Sequence, residues 1–322
     1  GQFLDKLVFR TRSDFQLALS STQDLPLNLS RAHLEGLIRP IDLTELAFDR
    51  EGVSRVLGDD LCTQIGAEGL QDVIRHTEGW PAAVRMAQII LDNSLQPKQA
   101  LAKFTGADEG IAHLLNRQVL SGFPEHVREF LLDVAQLRTF CIDLCIHVTG
   151  NPASADIIAY LLQRNAFVIP LDRNRSWYRF HGLFREFLVG EAERSLSPSA
   201  RLLVKKRAAN WCEENGYWRE CLDYSLAAKH FRIAVRVLER MAERFVRDQG
   251  DVIQYIRWME ALHEQETLAG PEAEYWFAWA LSFCRRYEEA RQRCSVLTLK
   301  FTEELKVRKN KTIKAAPLLR RI

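Results

Sequence analysis

The chain has 322 residues, 47% of them hydrophobic, enough apolar material for two or three domains with cores of their own. Its 44 Lys and Arg against 42 Asp and Glu leave a net charge of +2, so no global positive field points to a nucleic-acid partner. There is no signal-peptide pattern and no apolar run of the roughly 18 residues a membrane helix needs, so the expectation is a cytoplasmic chain with no membrane partner.

In chain order, residues 15–21 read as a buried strand, Leu25-Pro26-Leu27 as a break, and residues 29–36 as a helix capped by Asn28 or Ser30. Residues 37–43 read as a second short strand. Two strands around one helix are too few for a closed sheet. Residues 1–48 are therefore expected to be the C-terminal remnant of an α/β domain. From Asp49, a helix cap by type and position, the signals turn helical: 67–77, 81–93 with Pro81 in the first turn, and 107–121. Together they predict a helical lid over 49–122.

A helix over 124–135 would place Val127, Phe130, Leu131 and Val134 on one face, and further helices are expected at 141–149 and 154–164. The apolar run 165–172 ends in a polar turn. An aromatic strand, Trp177 to Phe180, then leads without a linker into His181, and Leu183, Phe184, Phe187 and Leu188 fit one helix face. Hairpin followed by helix is the wing and succeeding helix of a winged-helix domain, predicted over 123–196. The helix before the wing, 157–165, carries one Arg among many apolar positions, whereas a DNA-recognition helix needs several polar side chains facing base edges. It is expected to pack into a core.

Beyond Ser197 the pattern becomes helical hairpins. An aromatic residue followed three positions later by a small one recurs at Trp218 and Cys221, Phe231 and Ala234, and Tyr287 and Ala290. Small residues let paired helices approach closely, so residues 197–297 are predicted to be a tetratricopeptide-like helical array. The hairpin over 273–297 is expected to leave an apolar strip uncovered, involving Leu281, Val296 or Leu297. Residues 298–322 hold eight Lys and Arg against two Glu and read as a basic tail.

Candidate chemistry is sparse. Seven cysteines, at 62, 141, 145, 212, 221, 284 and 294, are scattered through apolar helical patterns and read as small core residues in a reducing compartment. Cys141, Cys145 and His147 lack a second ligand pair at metal spacing, so no metal site is expected. The chain has no G-x-x-x-x-G-K-[ST] loop, no magnesium carboxylate strand, no G-x-S-x-G and no H-E-x-x-H, and is not expected to be an enzyme.

Three stretches, 78–82, 165–188 and 270–291, resemble the MalT-like, LuxR-type ATP-dependent transcription regulators, which belong to the signal-transducing ATPases with numerous domains. The resemblance implies a mainly α chain: the end of the nucleotide-binding domain, its helical lid, a winged-helix domain and the first part of an effector-sensing array. It makes Gly79 and Pro81, in Glu78-Gly79-Trp80-Pro81, the family's Gly-x-Pro motif against adenine, and His181 the winged-helix histidine that meets the β-phosphate of ADP and holds the resting state. Thr22 stands where the family carries an Arg toward the γ-phosphate. A turn between two helices, with Gly79 ending one and Pro81 beginning the next, suffices by itself to explain those two residues, and a structural histidine explains His181.

On this reading the chain is an internal fragment. Its partners are an N-terminal ATPase core, a C-terminal helix-turn-helix that alone reaches DNA, and a small-molecule or protein effector on the array. ATP or ADP would be the cofactor of the longer protein, with neither held tightly by this chain alone. The alternative is a stand-alone helical-repeat adaptor without nucleotide control.

Overall fold

The computed structural model describes residues 8–9, 18–20, 29–164 and 166–307, which fall into two compact units, Gly1–Leu196 and Ser197–Ile322. The fold is mainly α, with a single two-stranded sheet among the described residues.

The first unit departs from the sequence reading at its start. Residues 18–20 and 37–42 form no strand; after α1 (Leu29–Leu34) the chain runs irregularly into a short helical turn, α2 (Leu43–Leu46). Asp42 explains the turn, because its Oδ1 accepts the Glu45 N–H at 3.0 Å and its carbonyl accepts that of Leu46 at 3.1 Å. An apolar run becomes a strand only beside a partner strand, and Pro40 offers no donor to one. Residues 15–17, Ser21 and Thr22 lie outside the described residues.

The helices of residues 49–122 follow their local signals closely. Asp49 caps α3 (Arg50–Leu57) by accepting the Gly52 N–H at 2.8 Å. In α4 (Asp59–Thr77) the backbone breaks at Gly66, φ 75°, so regular helix resumes at the residue where the periodicity begins. Pro81 opens α5 (Pro81–Asp92) and Pro97 opens α6 (Pro97–Lys103), a helix the periodicity did not reveal. Next come α7 (Glu109–Gln118) and a 3-10 turn at Leu120–Gly122. Val73, Ala83, Val84, Ala87, Leu91 and Leu115 are sealed from solvent between these helices.

The winged-helix segment contains α8 (Glu125–Val134), with Val127, Phe130, Leu131 and Val134 all buried, α9 (Ile142–Thr149) and α10 (Ser154–Gln163). Ile157, Ile158 and Leu161 of α10 point into the core, as expected of a packing helix. Strands β1 (Val168–Pro170) and β2 (Tyr178–Phe180) pair antiparallel with Val168 opposite Phe180, and Phe140 extends the ladder by bridging Tyr178. Asp172 closes the hairpin turn by accepting the N–H groups of Ser176 and Trp177, each at 2.9 Å. Then α11 (Gly182–Ser195) buries Leu183, Phe184, Phe187 and Leu188. Gly106 lies so close to α11 that a Cβ there would fall 1.9 Å from the Leu183 carbonyl oxygen, and its N–H donates to Glu186 at 2.8 Å.

The second unit stacks α12 (Pro198–Glu214), α13 (Trp218–Ala227), α14 (Phe231–Glu243), α15 (Val252–His263), α16 (Pro271–Phe283) and α17 (Tyr287–Val307), with a π turn at Arg244–Asp248. Cys221, Ala234 and Ala290 are buried where helices meet, but Tyr287 is 62% exposed, so the small residue and not its aromatic partner makes that seam. Leu281 and Leu297 are buried too, where α17 lies along α16. The side chain of Val296 lies outside the description. The uncovered aromatic strip consists instead of Trp279, 40% exposed, Phe283, 68%, and Tyr287, with the first two rings stacked 5.5 Å apart.

One cap in this unit is supplied from a distance. The N-terminus of α16 has no local side-chain cap, and Glu239 of α14 accepts the Glu272 and Ala273 N–H groups at 3.1 and 3.0 Å. A Cβ on Gly270 would fall 2.3 Å from that carboxyl. Burial raises the pKa of Glu239 above the ordinary carboxylate value, with the two N–H groups pulling the other way.

None of the seven cysteines forms a disulfide. Cys145, Cys212 and Cys221 are buried; burial pushes Cys145 well up and Cys221 to about 12, which keeps both protonated and unreactive. Among the described residues no three His, Cys, Asp or Glu side chains are arranged to hold a metal, and no helix is long and apolar enough to cross a membrane.

Candidate functional site

The corner where the turn after α4 meets the start of α11 gathers the sequence-predicted residues. Helix α4 ends at Thr77; Glu78 and Gly79 follow with left-handed φ of 48° and 73°, and Trp80 leads into Pro81 at the first position of α5. Gly79 is required here for space as well as conformation, since its Cβ would fall 2.4 Å from the Phe48 carbonyl oxygen. The turn is fixed by Phe48 N–H donating to Gly79 O at 2.8 Å and Trp80 N–H donating to Thr77 O at 2.8 Å.

From the other side, the pleat of β2 decides which residues reach this turn. Tyr178 and Phe180 face the core, so Arg179 faces outward, and the next residue, His181, ends the ladder by donating its N–H to Phe167 O at 2.8 Å. His181 is 7% exposed and packs against the rings of Trp80 and Phe167, with centroids 6.1 and 6.0 Å away. Its Nε2 lies 3.1 Å from the Thr77 carbonyl oxygen. A carbonyl can only accept, so Nε2 carries the proton and the buried Nδ1, which has no partner, is left as a bare lone pair.

Glu78 and Arg179, 101 positions apart, form the strongest polar contact of the corner. Arg179 Nη1 and Nη2 donate to the two Glu78 carboxylate oxygens at 2.9 and 2.8 Å, and the Gly182 N–H at the start of α11 donates to Glu78 Oε1 at 2.9 Å. Burial works to raise the Glu78 pKa, but the Arg179 and Gly182 hydrogen bonds and the charges of His181 and Arg179 hold it below the ordinary value. Glu78 in turn raises that of Arg179. Burial is the largest influence on His181 and keeps its pKa below the usual imidazole value, against the pull of Glu78.

The structure thus brings the Gly79–Pro81 turn and His181 to one place, through the residues that flank them: Thr77, Glu78 and Trp80. Sequence reasoning gave neither Glu78 nor Arg179 a part. Neither stands out locally, because a Glu at a helix end and an Arg on an exposed strand face are both ordinary. Thr22 lies outside the described residues.

Comparison with known proteins places the winged-helix segment. Residues 116–200 match the MalT winged helix domain, against the 123–196 expected from the sequence. The chain is 27% identical over 265 residues to the serine/threonine-protein kinase PknK of Mycobacterium tuberculosis, covering 82% of this chain and 24% of that protein. It is 21% identical over 271 residues to the HTH-type transcriptional regulator MalT of Vibrio parahaemolyticus, covering 83% of this chain and 30% of the relative. With the HTH-type transcriptional regulator AlkS of Ectopseudomonas oleovorans it shares 24% over 257 residues, 80% of this chain and 28% of AlkS. The chain therefore spans less than a third of the length of each of these relatives.

Proposed function

Since residues 116–200 form a winged-helix domain of the MalT family, we propose that this chain is the sensor portion of a MalT-type transcription regulator, a nucleotide-controlled switch joined to the start of an effector-binding helical array. The observation that carries the reading is the meeting of the Glu78–Pro81 turn with His181, fixed by the 3.1 Å approach of Nε2 to Thr77 O. Two segments a hundred residues apart converge on one corner, and both belong to the stretches that resemble a nucleotide-responsive family.

The donors gathered there are of the kinds that suit an ADP phosphate: an imidazole N–H, a guanidinium fork and a helix-start amide. In this reading the Gly79–Pro81 turn meets the adenine and His181 the phosphate, while the nucleotide supplies the charge that the switch senses. Catalysis is not proposed for this chain, and DNA contact is assigned to a helix-turn-helix in a longer protein. The kinase activity in the name of PknK belongs to that protein.

The decisive experiment is His181→Ala in a full-length regulator carrying this segment. Losing a hydrogen-bond partner to a charged group is worth about 1–3 kcal/mol, so the resting state weakens and reporter expression rises without inducer. A variant as silent and as inducible as the parent returns His181 to a purely structural part. The chain alone is expected to bind ADP negligibly, because most affinity in such ATPases comes from a phosphate loop and its magnesium; micromolar binding in calorimetry would contradict that. A helical adaptor is the second reading, favoured by the exposed Trp279–Phe283–Tyr287 strip.

A further inference from the structure

The three donors described at the corner are already engaged by the end of α4. The His181 N–H is given to the Thr77 carbonyl, and the Arg179 fork and the Gly182 N–H converge on the Glu78 carboxylate at 2.8 to 2.9 Å. A planar carboxylate held by a guanidinium and a helix-start amide has the same recognition chemistry as a phosphate oxyanion. Glu78 also remains within reach of solvent, with its side chain 26% exposed and that of Arg179 34%.

We propose that Glu78 is a built-in surrogate for a phosphate. Arg179 and the Gly182 N–H form an oxyanion-binding site whose resident is the Glu78 carboxylate, and an incoming phosphate oxyanion and the Glu78 clasp exclude each other. This rests on the nucleotide-switch reading and adds its regulation. With Glu78 seated, the lid turn is tied to the wing and the site rejects phosphate through the repulsion of like charge. When a phosphate takes the same donors, Glu78 is expelled, the Thr77 carbonyl loses its claim on His181, and the tie between α4 and β2 is cut. One ion pair therefore serves both as a clasp and as a competitor.

Calorimetry on the whole chain with inorganic pyrophosphate, then ADP, tests the exchange. Wild type is expected to show no measurable pyrophosphate binding. Glu78→Ala should gain at least about tenfold in affinity, the effect of removing one negative charge beside the site, and the gain should vanish in Glu78→Ala with Arg179→Ala. Hydrogen exchange gives a second readout: the Gly182 amide is protected in wild type, exposed in Glu78→Ala, and protected again by pyrophosphate. Should the alanine variant not fold, Glu78→Gln keeps the side chain's size while removing its charge and should move binding in the same direction.

A folded Glu78 variant with no gain, or a wild type that binds pyrophosphate equally well, overturns the proposal. A gain for pyrophosphate without one for ADP upholds the exchange site and counts against the nucleotide reading. A positive His181→Ala reporter result with no pyrophosphate gain sinks the surrogate alone.

Discussion

At the scale of single residues, the corner sets its own response to acid. Glu78 titrates below its ordinary value in the folded chain, so its contribution is present above the unfolded pKa, 4.5, and is lost as the pH falls from there through the folded value. His181 is also depressed, from 6.5, because burial disfavours its charged form; its contribution is present above 6.5 and is lost over the interval below. Two acid losses in separate windows follow. Thermal melts from pH 7.5 to 3 should show that His181→Gln removes part of the decline beginning near 6.5, and Glu78→Gln part of that below 4.5. Equal slopes for both variants and wild type would show that neither group governs the melt. None of this coupling was legible in the sequence. His181 was singled out from its place between strand and helix, but its partner Thr77 and the Glu78–Arg179 pair arise only when chain segments 101 and 104 positions apart meet.

Helices and turns were the most legible scale, because their signals are local. Asp49, Pro81 and the apolar faces of α8 and α11 lie where capping and periodicity put them. The strands expected at 15–21 and 37–43 show why β structure is harder: of their described residues, 18–20 and 37–42 are irregular and Leu43 opens α2. A strand depends on a neighbour that an apolar run does not name. Close approaches between elements were equally hidden, and glycines mark them. Gly79→Ala places a Cβ 2.4 Å from a backbone oxygen at φ 73°, and should cost about 2–4 kcal/mol in urea unfolding. Gly150, at φ 72° with nothing within 4 Å, separates conformation from space: Gly150→Ala should cost only about 1 kcal/mol. Equal losses would mean that the Phe48 contact relaxes freely.

For the whole molecule, the exposed strip on the second unit governs behaviour in solution. Stacked Trp279 and Phe283 with nearby exposed Tyr287 form an apolar surface of the kind that drives association, so the chain should bind hydrophobic dye and self-associate with rising concentration. Phe283→Ser with Tyr287→Ser should reduce both in light scattering and dye titration; unchanged behaviour would point to another surface. The position of this strip was misread from the sequence because Leu281 and Leu297 are buried where α16 and α17 pack together, a contact no local motif announces. A different large-scale property follows from the carboxylate of Glu239, which closes the start of α16 from 33 residues upstream. Stacked hairpins can fold as a row of nearly independent steps, each helped only by its neighbour. Here the first amides of α16 are satisfied by a side chain of α14, so the ordering of one helix favours that of the other beyond what their packing alone supplies. Glu239→Ala should therefore loosen the far end of the array from its middle and broaden its thermal melt.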